Sequence, residues 1–247
     1  MLLVLMYHRI AQPELPQAAK LFQQHLAELS QHYPIVIPGE PLAKNQLSIC
    51  LTFDDAYFDF YHTVYPVLRQ LKLRAVLAVP VKFIMEQTTL SPTERLQVPH
   101  AQMMIDGGYQ TSTPFCTWQE IQEMAASGHV VIASHSYNHL NLNQKGYDFQ
   151  QEIAISRQIL AAKTAQPITT FVYPFGKMNK DLHRQLREYY PYAMRIGSAL
   201  NRDWENGGSG LIYRIDADPF WQQQIQWGRQ HYWKYKMKYF SNLIRSR

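Results

Sequence analysis

Asp54 and Asp55 are adjacent carboxylates at the exit of an apolar run, residues 47–53. Adjacent strand residues point to opposite faces, so both reach one site only where the strand ends and the chain turns. His135 and His139 stand four residues apart after a second apolar run, residues 130–133. On one helical turn that spacing puts both imidazoles on the same side, as two ligands of a single metal. A carboxylate from a neighbouring strand end completes a face of two histidines and one carboxylate, with positions open for water and substrate. Asp55 suits that role, which leaves Asp54 free to act as a base. Each pair taken singly has a plainer reading: a helix cap beside a solvated carboxylate, and a chance histidine spacing.

Those residues need strands to deliver them. Residues 2–6, 47–53, 75–81, 130–133, 168–172, Tyr192–Ile196 and 211–215 read as strands, with a further short one at 35–37 between two prolines. Between them, residues 17–32, 58–71, 147–163 and 179–189 read as helices, the second kinked or broken at Pro66. Thr117 and Glu120 make a capping box for a helix that ends before Gly128. Residues 84–115 show no sustained period, and an excursion of that length is more often functional than connecting. Alternating strands and helices predict a parallel β/α architecture; seven strands suit a barrel, and a doubly wound open sheet also fits. In such barrels reactive groups sit just past the C-terminal strand ends. Tyr7-His8, Asp54-Asp55, residues 134–139 and Tyr173-Pro174-Phe175 all occupy such positions.

The formal net charge of +5 is local. Residues 219–247 hold Arg229, Lys234, Lys236, Lys238, Arg245 and Arg247 with no Asp or Glu. The first 218 residues are close to neutral, so no basic groove for nucleic acid is expected. Along 219–247, Trp221, Ile225, Tyr232, Tyr239 and Leu243 form one stripe of a predicted amphipathic helix, opposite Lys234, Lys238 and Arg245. That helix either packs on the barrel or rests on an anionic membrane surface. Two cysteines make no disulfide framework, and no run is long enough to span a membrane. The apolar opening, residues 1–6, is too short for an export signal, so the expected location is cytoplasmic, extending to the inner face of the membrane.

Three motifs in order carry a family resemblance. Thr52-Phe53-Asp54-Asp55, the segment Ser134-His135-Ser136-Tyr137-Asn138-His139, and Phe171-Val172-Tyr173-Pro174-Phe175-Gly176 resemble those of the polysaccharide deacetylases, the NodB-homology or carbohydrate esterase 4 group. Met6-Tyr7-His8 is similar to the N-terminus of the branch that reads Tyr-Pro-Phe-Gly. The resemblance covers roughly 1–218 and implies an irregular (β/α)7 barrel, with 219–247 as an appended basic, aromatic helix. It also implies a divalent cation, usually zinc, on Asp55, His135 and His139, with Asp54 as general base. The backbone N–H at Phe175, after Pro174, would meet the oxyanion of an acetyl group being hydrolysed from an amino sugar.

Three departures from that pattern matter. Ala56 replaces a glycine, a mild change unless that residue needs φ > 0. An Arg expected two residues before Pro174 is Val172, so Arg214 either supplies the guanidinium or forms a surface ion pair. The histidine expected as general acid is Tyr213, which leaves His8 as the preferred active-site histidine, as acid or in positioning. The sequence thus predicts a metal-dependent N-deacetylase of an acetylated amino-sugar saccharide or lipid-linked precursor. The alternatives are hydrolysis of another non-peptide C–N bond and a non-catalytic sugar-binding or membrane-surface protein.

Overall fold

A computed structural model describes residues 1–11, 17–99, 104, 107–223 and 228–245. Seven strands, β1 (Leu2–Tyr7), β2 (Ser48–Phe53), β3 (Ala75–Val79), β4 (Val130–Ser134), β5 (Thr170–Val172), β6 (Tyr192–Ile196) and β7 (Leu211–Asp216), close into a barrel in sequence order. Every pairing is parallel, and β1 completes the ring against β7 by pairing Val4 with Arg214. The barrel, rather than the open sheet, is the fold.

Period-two alternation divides each strand between two cores. Leu2, Val4, Cys50, Val76, Ala78, Ala133, Val172, Met194 and Ile212 form one cluster, drawn from all seven strands, which fills the lumen. Their sequence neighbours, among them Leu3, Leu5, Ile49, Leu51, Leu77, Ile132, Phe171 and Ile215, join a larger cluster beneath the helices. Both faces are buried, which is why the strands read as continuous apolar runs.

The surrounding helices are α1 (Ala18–His32), α2 (Tyr65–Leu71), α3 (Pro92–Leu96), α4 (Gly108–Ser112), α5 (Trp118–Ala126), α6 (Ser156–Thr164), α7 (Lys180–Leu186), α8 (Asp218–Gln222) and α9 (Arg229–Arg245). The Thr117–Glu120 capping box is present at the start of α5. Residues 58–71 are helical throughout, a π-helical turn, Phe60–Val64, running directly into α2, and Pro66, which has no N–H to donate, follows immediately on that turn. Within residues 147–163, Gln150–Ile155 runs into α6 in the same way. There the Ser156 hydroxyl donates to Glu152 O and Ile153 O, competing for helical acceptors. The expected strand at 35–37 is reduced to a bridge between Ile35 and Ile49, consistent with flanking prolines that cannot donate to a ladder.

The tail is two helices rather than one. Trp221 belongs to α8, and Tyr232 and Tyr239 belong to α9. Trp221 and Tyr239 are buried in the same core as the barrel, and Tyr232 and Tyr235 pack against it. The Tyr232 hydroxyl donates to Met1 Sδ at 3.1 Å, and Asn242 Nδ2 donates to Gly197 O at 2.8 Å. Trp233 and Met237 face solvent. Ile225 and the side chains of Leu243 and Arg245 lie outside the described residues. Among the described residues, no helix is long and apolar enough to cross a membrane.

Candidate active site

The lumen's inward columns continue past the apolar core into polar residues. Two residues beyond Ile212 stands Arg214; two and four beyond Cys50 stand Thr52 and Asp54; two beyond Ala133 stands His135. His8 prolongs the column of Leu2, Val4 and Met6. Arg214 is fully buried, not at the surface, and grips Asp54 with two parallel bonds, Nη1 to Oδ1 at 2.6 Å and Nη2 to Oδ2 at 2.8 Å. Its Nη1 also reaches Thr52 Oγ1 at 3.3 Å. Burial alone would raise the Asp54 pKa, but the charge of Arg214, aided by His135 and His8, overcomes it and holds the carboxyl below its usual range. Val172, at the position where the resemblance expects an arginine, is apolar and joins the inner core.

A second set of groups is delivered by turns. Asp55 is one residue out of phase with the inward column, and its φ of +68° swings it back toward the mouth. Ala56 follows at φ +53°, so the position where the family pattern has glycine does require left-handed backbone. His135 and His139 are not on a helical turn; a tight loop with Ser136 at φ +65° and His139 at φ +56° brings them together. The His139 N–H donates to Ser136 Oγ at 3.0 Å. Buried Glu152 ties down the same loop by accepting from the N–H groups of Tyr137 and Asn138 at 3.1 and 2.9 Å.

The donor set fits a divalent cation. His139 Nε2 and His135 Nε2 lie 3.2 and 3.5 Å from Asp55 Oδ1, and the three donor atoms fall within 4.8 Å of one another. Asp55 Oδ1 is buried and faces the two imidazole nitrogens. The His135 Nδ1–H donates to Val172 O at 2.8 Å, which turns Nε2 toward the site and fixes the tautomer a ligand needs. Burial lowers the His135 pKa to about 4, so this ring is neutral near pH 7. Burial would raise Asp55, but the His139 hydrogen bond and the neighbouring imidazole charges hold it well below the usual carboxylate range. Two imidazoles and one carboxylate are borderline-soft ligands of the kind zinc takes.

His8 stands at the rim with Nδ1 3.0 Å from Asp218 Oδ2. Burial opposes its charged form, but the Asp218 bond and the charges of Asp54, Asp218 and Asp55 outweigh it and raise the pKa to about 9. Asp218 Oδ1 accepts from Trp221 Nε1 at 3.3 Å, so the carboxylate is itself oriented. Nothing in the sequence reading singled out Asp218; its place two residues past the end of β7 was the available signal. Tyr213 is a buried residue on the outward column of β7 and belongs to the outer core, away from the inward column that carries the site. Pro174 and Phe175 form the turn after β5, with Phe175 at φ +56° and its ring centroid 4.8 Å from that of His139. The turn's own bonds run from Gly176 N–H to Tyr173 O and from Lys177 N–H to Pro174 O, and the Phe175 N–H takes no part in them.

A closed parallel barrel with its polar groups gathered past the C-terminal strand ends has the architecture of a β/α-barrel enzyme. The polysaccharide deacetylase family profile matches residues 43–193, more than half of the chain, and the protein belongs to that family, the carbohydrate deacetylases among hydrolases. YxkH of Bacillus subtilis (strain 168) is 25% identical over 226 residues, spanning 87% of this chain and 71% of that protein. Poly-beta-1,6-N-acetyl-D-glucosamine N-deacetylase of Escherichia coli (strain K12) is 36% identical over 100 residues, 40% of this chain but 13% of that protein. Among solved structures, IcaB from Ammonifex degensii superposes with a TM-score of 0.68 at 21% identity, covering 90% of this chain and 94% of its own.

Proposed function

We propose that this chain hydrolyses the acetamide of N-acetylglucosamine units in a saccharide or its lipid-linked precursor, using a divalent cation, zinc first among candidates. The observation that carries this reading is the meeting, in one barrel mouth, of a three-donor metal face and a buried carboxylate clamped by an arginine. The name of the Escherichia coli relative supports the choice of sugar and of the N-acetyl group.

A cation held by Asp55, His135 and His139 would supply Lewis-acid polarisation of the acetyl carbonyl and activation of the attacking water. Asp54 accepts the proton of the water that attacks the acetyl carbon. Its low pKa keeps it ionised, and bidentate pairing with Arg214 fixes its orientation. The Phe175 N–H donates to the carbonyl oxygen as negative charge develops there. His8, kept protonated by Asp218, gives its proton to the leaving nitrogen as the C–N bond breaks, yielding acetate and an amine. Purified protein incubated with acetylated glucosamine oligomers, with and without chelator, tests the reading. Acetate release abolished by chelation and restored by zinc is expected; release indifferent to chelation would sink it.

The outer face of α9 supports a place of work at an anionic membrane surface. Trp233 and Met237, one turn apart, are 58% and 64% exposed, and Lys236 Nζ lies 4.9 Å from the Trp233 ring centroid. Lys234 and Lys238 are exposed beside them, and residues 219–247 hold no acidic side chain. Truncating the tail would strip Trp221 and Tyr239 from the core, so substitutions are the cleaner probe. Full-length protein should float with phosphatidylserine vesicles, and Trp233→Ser/Lys234→Glu/Lys238→Glu should not. Equal flotation of the two makes that face a solvated one.

A further inference from the structure

Among the described residues of the excursion at 84–115, one charged side chain is buried. Arg95, on α3, is 3% exposed, and its guanidinium carbon lies 3.5 Å from the Phe58 ring centroid. Its Nε donates to Thr113 O at 2.9 Å and its Nη2 to Phe115 O at 2.8 Å. The same guanidinium binds Glu120 through Nη1 at 2.6 Å and Nη2 at 2.9 Å. Glu120 is itself held by the α5 capping box, its Oε2 accepting the Thr117 N–H at 2.7 Å. Arg95 is therefore a fixed post, held through all three of its nitrogens.

The carbonyls it holds belong to a strap that grips the chain just past Asp55. Phe58 N–H donates to Pro114 O, and Cys116 N–H donates to Ala56 O, both at 2.8 Å. Between those bonds Tyr57 and Phe115 form a bridge and stack with ring centroids 5.4 Å apart. The grip acts on Asp55 and Ala56, consecutive residues at φ +68° and +53°. Left-handed backbone is disfavoured for any residue with a Cβ and persists where its surroundings over-determine it.

We propose that Arg95 is a positioning residue for the cation. It anchors the 113–116 strap, whose hydrogen bonds keep Asp55 and Ala56 in the left-handed turn that aims the Asp55 carboxylate at His135 and His139. The inference rests on the reading of Asp55 as a metal ligand.

Direct titration of the full chain with zinc in competition with a chromophoric chelator, and the visible spectrum of the cobalt-loaded protein, test it below the melting temperature. Arg95→Lys keeps a positive charge against Glu120 but cannot reach both carbonyls and the carboxylate together. It should bind zinc ten- to a hundredfold more weakly and show an altered cobalt spectrum. Adding Ala56→Gly removes the Cβ penalty at the turn and should restore affinity fivefold or more. Arg95→Met/Glu120→Gln, which leaves no buried charge unpaired, should show the same loss and recovery. Folded variants with wild-type affinity and an unchanged cobalt spectrum overturn the proposal, as does a loss that Ala56→Gly leaves untouched. A wild-type chain that binds neither metal overturns the ligand reading itself.

Discussion

Half of this site is placed by strand periodicity and half by strained turns. Asp54, His135, Arg214 and His8 fall on inward columns of the barrel, so the same alternation that fills the lumen with Val4, Cys50, Ala133 and Ile212 aims them. Asp55, His139 and Phe175 each need positive φ, at +68°, +56° and +56°, and none is glycine. The first set is held by ladder bonds and the lumen, the second by side chains that tie down loops, as Ser136 and Glu152 do for His139. The lesson is that a barrel gives orientation cheaply along a strand, whereas a ligand out of phase needs its own supporting structure.

The sharpest break of the strand-placed half is Asp54→Asn. Turnover should fall roughly a thousandfold, in the range of a lost general base, while zinc stoichiometry measured by atomic emission stays at the wild-type level. Arg214→Met leaves Asp54 buried without its partner and should cost about 3–5 kcal/mol of stability in urea unfolding. A loss below about 1 kcal/mol would mean that solvent reaches the pair.

The turn-placed half is probed at Phe175. Phe175→Gly and Phe175→Ala both remove the ring beside His139, but only glycine adopts φ +56° without strain. The glycine variant should be the more stable of the two by about 1 kcal/mol, and equal stability would show that the turn is not strained.

His8 sharpens the contrast from the rim. As an acid it must be protonated, so kcat/KM should hold at lower pH and decline as pH rises through its pKa, raised toward about 9. Asp218→Asn removes a bond that raises that pKa, and the alkaline limb should move down toward the ordinary imidazole value near 6.5. An unmoved limb assigns the proton to another group.

One further test lies away from the mouth. The Tyr7 hydroxyl meets His25 Nε2 at 2.8 Å, and burial lowers the His25 pKa to about 4, below its unfolded value. The stability that neutral His25 contributes is present above about pH 6.5 and is lost as pH falls through about 4. His25→Phe should flatten that slope in chemical unfolding measured between those two values.

Much of this was legible residue by residue. Apolar runs that end in Asp54, His135 and His8 betray both the strand and its exit. Arg214 could be nominated because it sits on a strand whose neighbours are apolar, but its choice between solvent and Asp54 could not be read. That choice depends on β7 closing against β1, which brings residues 160 positions apart within 2.6 Å. Asp218 left only its place two residues past β7 as a signal and Arg95 left none, because their partners, His8 and the 113–116 segment, are met only in three dimensions.

By itself the sequence determined the alternation of strands and helices, the apolar phase of each strand and the residue types at its exit. Side-chain period and hydrophobicity are local properties, fixed as soon as the chain is extended or helical. The tertiary structure alone decided the ring closure, the burial of Arg214 and the left-handed turns at Asp55, His139 and Phe175. Those depend on long-range contacts that outweigh local backbone preference, and no window of the chain contains them.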